Sequence, residues 1–209
     1  MLNRLTKKPD PSFQKGSAGF SLVELLVSIA IFAMVITMAV GTLMVLVDAN
    51  AKAQNMQEVL INMNFAVDSI TREVRTGRSF YCTSNESSLD SLDNFDNQDC
   101  PGGNTILSIV EGGTSLSGGT SGGRVAYRFN NSEATIERRI GTAAWLPITS
   151  SNVTITSARF FVTDSNSALD GDDQQANVTI YIEGFAGALL NVDSHFDLQT
   201  TITRRVLDI

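Results

Sequence analysis

From Phe20 to Val47 the chain runs for 28 residues with one charged side chain, Glu24. A helix of that length reaches about 42 Å at 1.5 Å per residue. A bilayer's hydrocarbon core is about 30 Å thick, so the run can cross it. Behind it, residues 48–76 contain neither proline nor glycine. Apolar residues fall at Met56, Val59, Leu60, Met63, Val67, Ile70 and Val74, one face of an amphipathic helix. Lys52, Gln57, Asn64, Asp68, Arg72 and Arg75 mark the opposite face, and Gly77 supplies a stop. The pattern predicts one helix over 20–76, about 85 Å long. Gly41-Thr42 is its weak point, since glycine costs about 1 kcal/mol against alanine in a helix.

Residues 78–123 change character. They hold Cys82 and Cys100, the acidic tract 90–99 and four glycine pairs. The stretch 105–110 reads as a strand and the rest as loop. From Arg124 the period becomes two. Val125, Tyr127 and Phe129 alternate with Ala126 and Arg128, Asn130-Asn131-Ser132 turns, and 134–140 returns as a hairpin. A long strand is expected over 153–162, its apolar phase shifting between Ile155 and Ala158 as at a bulge. Strands over 177–183 and 195–204 complete the set. Antiparallel strands with one amphipathic helix to cover them predict an α+β fold, the sheet packed on the outer half of the helix.

Charge sharpens this division. The whole chain carries −7, but residues 1–19 hold Arg4, Lys7, Lys8 and Lys15 against Asp10. The remainder carries 11 basic and 21 acidic groups. A basic flank before an apolar run places the amino terminus in the cytoplasm and the acidic remainder outside. No basic stripe points to nucleic acid. An ordinary secretory signal has a short apolar region followed by small residues. Here the run is longer, and Gly16, Ser17, Ala18 and Gly19 precede it. Residues 1–19 therefore read as a removable leader, 20–47 as a membrane helix, 48–76 as its amphipathic continuation and 77–209 as an exported domain.

Candidate chemistry is sparse. In an exported domain Cys82 and Cys100 would be oxidised to a disulfide, with two buried thiols as the alternative. His195 is the only histidine and no CxxC occurs, which argues against zinc. No nucleophile motif accompanies His195, so it reads as a strand-edge residue and the chain as non-enzymatic. Asp164, Asp170, Asp172 and Asp173 sit in an oxygen-rich tract, a weak calcium candidate. Its spacing misses the EF-hand template, and a solvated turn is the default for it and for the tract 90–99. No other cofactor is implied. Trp145, beside Leu146 and Pro147, reads as core, with an exposed partner contact as the alternative. Asn85-Glu86-Ser87 fits a glycosylation sequon only formally.

At Gly19-Phe20-Ser21-Leu22-Val23-Glu24 the chain closely resembles the class III signal sequences of type IV pilins and type II secretion pseudopilins. The resemblance covers the basic leader, the glycine, the phenylalanine, the glutamate and the long apolar helix. It implies cleavage between Gly19 and Phe20 by a prepilin peptidase, N-methylation of Phe20, and an assembly role for the Glu24 carboxylate against the amine of Phe20. It also implies a ladle-shaped α+β fold. The partners implied are other pilin or pseudopilin subunits, the inner-membrane assembly platform and, before assembly, membrane lipid. The implied destination is a cell-surface or periplasmic filament. Residues 65–75 and 195–205 resemble segments of J- and W-type minor subunits. The presence of Glu24 departs from the K-type tip subunit, and Gly41 stands near where many family helices carry proline. A membrane-anchored exported binding protein that never polymerises is the competing reading, and the mature amino terminus separates the two.

Overall fold

A computed structural model describes residues 19–113, 123–166, 174–186 and 194–205. The order is α1 (Leu22–Thr76), β1 (Arg78–Thr83), a 3₁₀ helix (Glu86–Ser91), β2 (Ile106–Val110), β3 (Arg124–Asn130), β4 (Thr135–Ile140), β5 (Leu146–Pro147), β6 (Val153–Thr163), β7 (Asn177–Ala186) and β8 (Ser194–Thr203). The chain divides into two units, one ending at Val47 and one beginning at Asp48. The fold is α+β, with a long N-terminal apolar helix followed by antiparallel sheets.

In the first unit the helix is regular through Gly41, so the weak point does not break it. The hydroxyls of Ser28 and Thr42 donate to the carbonyls of Glu24 (2.7 Å) and Met38 (2.9 Å), and that of Thr37 to Ala33. Each hydroxyl is thereby satisfied inside its own helix, the condition for a polar group in lipid.

In the second unit Val59, Met63, Ala66, Ile70 and Val74 are the buried stripe of α1. The expected face includes two residues that the fold leaves exposed and omits one that it buries. Leu60 is 55% exposed and Met56 also reaches solvent, whereas Ala66 is fully buried. Apolar spacing located the stripe, but the reach of the sheets sets its edges.

The strands form two sheets rather than one, ordered β1-β2-β3-β4-β5 and β6-β7-β8. Both contribute to a single core with α1, which includes Ile70, Val74, Phe80, Leu107, Tyr127, Ile136, Phe160 and Ile180. The β3–β4 hairpin holds its expected turn, with Asn130 Oδ1 accepting from the Ser132 amide at 3.0 Å. In β6 the register skips Thr156 between Ile155↔Gly184 and Ser157↔Glu183, the bulge that the apolar phase shift indicates.

Two expectations for 78–123 are corrected. The composition of 78–83 predicts loop, yet β1 pairs with β2 and buries Phe80 and Cys82. Ser79 adopts a left-handed backbone (φ 51°) where the β1–β2 register shifts, so β1 lacks clean alternation. The tract 84–99 is not a free solvated turn either, since it roofs the face of the five-stranded sheet turned away from α1. Leu89 and Leu92 pack there on Ile106 and Ala126 in a second small core. That roof explains why Ala126, which alternates with the inward Val125 and Tyr127, is buried, and Arg124 with it.

Arg124 pins the roof. Its guanidinium donates to the carbonyls of Asp93 (2.7 Å), Asp96 (3.2 Å) and Ser79 (2.6 Å) and to Ser108 Oγ (3.0 Å). Burial lowers its pKa to about 10, against the nearby Asp96 and Asp93 charges, so it stays a cation at neutral pH. The Cys82–Cys100 disulfide closes the same segment at its base.

Candidate processing and assembly site

The site begins at the peptide between Gly19 and Phe20, just before α1, and both residues are exposed. A Cβ at Gly19 would meet no atom within 4 Å, so the main chain there is open on all sides. Ser21 provides the first helical acceptor, its carbonyl receiving the Leu25 amide at 3.1 Å. Glu24 lies in the first turn of α1. Amide dipoles leave partial positive charge at a helix N-terminus, so a carboxylate is favoured at this position.

From Leu22 to Val47 every residue is exposed in the single chain. The helix is long and apolar enough to cross a membrane. Such a surface needs lipid or protein around it, because apolar area in water costs roughly 25 cal/mol per Å². Among the described residues, Glu24 has no ion-pair partner. The geometry offers an exposed Gly19–Phe20 peptide, a favourably placed carboxylate and an apolar stem.

The other sequence candidates fall elsewhere. Cys82 and Cys100 are bonded, with Cα atoms 5.8 Å apart. Asp99 accepts from the amides of Asp164 (3.1 Å) and Ser165 (3.0 Å), bracing that loop. No cluster of three metal-ligating side chains occurs among the described residues. Asp170, Asp172 and Asp173 lie outside them. His195 is exposed on the outer strand of the three-stranded sheet, its ring 5.7 Å from that of Phe185.

Trp145 is not core. It is half-buried, with the Arg128 and Arg139 guanidinium groups 4.4 and 4.8 Å from its ring. Its Nε1 donates to Glu86 at 2.6 Å, and Arg128 also pairs with Glu86 and with Glu137. Arg128 lies on β3 and Arg139 on β4, so the cation–π stack forms only through strand pairing, which the sequence does not display.

Residues 14–40 match the family model for the prokaryotic N-terminal methylation motif. The match takes in Gly19, Phe20, Glu24 and most of the apolar run, so the chain carries the N-terminal signal of type IV pilins and pseudopilins. No curated protein and no solved structure matches the chain.

Proposed function

We propose that a chain bearing this signal is a structural, minor subunit of a type IV pilus or a type II secretion-like pseudopilus. Prepilin peptidase cuts it between Gly19 and Phe20 and methylates the new amine. Neighbouring subunits then take up its N-terminal helix with the help of the inner-membrane assembly platform. Its second unit is exported, its role is not catalytic, and it needs no cofactor. The minor class rests on the resemblance of 65–75 and 195–205 to J- and W-type subunits.

One observation carries the proposal: the methylation motif at 14–40 falls on an exposed Gly19–Phe20 peptide with Glu24 in the next helical turn. Cleavage would put a cation at a helix N-terminus, where the dipole repels it. A carboxylate in that turn offsets the repulsion, and it does so most strongly once water is excluded. In lipid the amine and carboxylate sit near the polar edge, but in an assembly they are buried and need each other.

The test is mass spectrometry of the amino terminus of full-length protein recovered from membranes that contain prepilin peptidase. N-methylphenylalanine at Phe20 is the expected terminus. An unprocessed Met1 in those membranes would overturn the proposal in favour of a non-polymerising anchored protein.

A further inference from the structure

Among the described residues the two sheets have four edge strands, β1 and β5 in one, β6 and β8 in the other. Three of them are closed by the chain itself. Gln98 lies along the outer side of β1, its carbonyl accepting from the Cys82 amide (3.1 Å) and its amide donating to the Phe80 carbonyl (2.9 Å). Cys100, Asn104 and Ala134 occupy the outer side of β6. The Cys100 amide donates to the Val162 carbonyl (3.0 Å), Asn104 and Phe160 exchange both main-chain bonds (2.9 and 2.8 Å), and the Ala134 carbonyl accepts from Ile155 (2.8 Å). β5 is only two residues long and ends in Pro147, so it offers almost no ladder.

β8 is different. It runs ten residues in unbroken register with β7. It contains no proline and no lysine, and its one charged side chain is Asp197. Among the described residues no main-chain bond leaves it on the side away from β7. Exposed edges are normally blunted by bulges, prolines, lysines or short length, because an open row of amides and carbonyls pairs with a strand that reaches it. β8 carries none of these devices. Its inward side chains also stop short of full burial. Phe196 and Leu198 pack at the margin of the core and stay half-buried, on the flank that a further strand would cover.

The open ladder selects its occupant. Main-chain donors and acceptors repeating along one line fit an extended polypeptide, not lipid or nucleic acid. A second copy of this chain fits poorly. The one long open edge it could offer is again β8, and β8 meets β8 only across a two-fold axis. Subunits stacked along a filament point the same way and are related by a screw, which excludes a two-fold pair. A minor subunit, moreover, is surrounded by subunits of other kinds.

We infer that β8 is a docking edge for β-strand addition, filled by an extended segment of a different subunit that bears the same N-terminal signal. The segment presents apolar residues at alternate positions beside Phe196 and Leu198, and polar ones beside Asp197, Gln199 and Thr201. This rests on the assembly reading, which brings the outer domain alongside those of other subunits, and adds a strand contact to the one between helices.

The test places p-benzoylphenylalanine in turn at His195, Asp197, Gln199 and Thr201 of the full chain, made in its native cells, which supply prepilin peptidase and the neighbouring subunits. All four side chains are exposed in one row of β8, so none of the changes threatens the fold. After irradiation each probe should give an adduct to one other protein that carries the N-terminal methylation signal. The attachment point should shift by about two residues along that protein for each step of the probe from one position to the next, because paired strands advance together. An adduct to a second copy, an adduct to a protein without the signal, attachment points that do not advance in step, or no adduct would overturn the docking edge. Processing at Phe20 is scored in the same cells. An unprocessed chain that still gives the stepped adducts sinks the pilin reading of this chain and supports the docking edge, whereas a processed chain without them sinks the docking edge alone.

Discussion

Glu73 and Arg138 join α1 to β4 across a 3.0 Å ion pair that is only partly open to water. The same guanidinium donates from Nε to the Tyr127 hydroxyl at 3.3 Å, and that hydroxyl lies 3.1 Å from Ser69 Oγ. The outer half of α1 is thus fixed to the five-stranded sheet by a polar cluster as well as by its apolar stripe. Removing one member leaves others unsatisfied in a low-dielectric setting. Glu73→Ala should destabilise the second unit by about 1–3 kcal/mol. Chemical denaturation of detergent-solubilised full-length chain, followed by Trp145 fluorescence, would measure it. An unchanged midpoint would show that the pair is a surface bystander.

Tyr127 gives this cluster a pH signature. Burial raises its pKa above the ordinary 10, against hydrogen bonds from Ser69 and Arg138 that lower it. A phenol whose pKa is higher in the folded state stabilises the fold fully below the unfolded pKa. That contribution is lost as pH rises above about 10, because the unfolded chain gives up its proton first. Arg124, with its depressed folded pKa, works in the opposite direction over the same range, so the wild-type curve alone does not isolate Tyr127. Comparing wild type with Tyr127→Phe does. Between pH 9 and 11 the wild type should lose stability relative to the phenylalanine variant, and parallel curves would contradict the burial argument.

The polar cluster also marks where sequence reading stopped. The helix, the β3–β4 hairpin, β6 with its bulge, β7 and β8 were legible because their patterns are local. β1 was not, since Ser79 breaks the alternation. β5 is two residues long and anchored only by pairing with β4. That the strands divide into two sheets was hidden, because alternation reveals strands and not their partners. Burial of Arg124 was hidden as well, since its roof comes from 30 residues upstream and is held by carbonyls. At the N-terminal end, the motif that contains Gly19, Phe20 and Glu24 could be read directly, as it lies within consecutive residues.

The disulfide is expected to matter most for the roof. It closes a segment of 18 residues that includes the roof. Closing a loop of that size contributes about 3 kcal/mol by chain entropy. A Cys82→Ala, Cys100→Ala pair of substitutions should lower stability by about that amount and open the 84–99 segment to protease before the sheets. Simultaneous loss of both sheets would instead make the roof an integral part of the folding unit. Non-reducing peptide mapping of the exported wild type should recover Cys82 and Cys100 linked, and free thiols would remove this brace.

On the proposed function, Glu24 should matter for assembly and not for insertion. A charge near the edge of a bilayer costs less than the roughly 2.5–3.5 kcal/mol it would cost at the centre. Both Glu24→Ala and Glu24→Lys should therefore insert about as well as wild type, read by membrane fractionation. In a filament the same end is surrounded by other subunits, and leaving one buried charge without its partner costs about 3–5 kcal/mol. Glu24→Ala leaves the Phe20 amine uncompensated, and Glu24→Lys adds a second cation beside it. Incorporation into sheared filaments should fall about a hundredfold or more for both, with Glu24→Lys the worse. Cleavage after Gly19 should persist in both, since the scissile peptide is open and lies outside the helix. If both variants assemble at wild-type levels, the charge pairing is not what admits this helix to the filament.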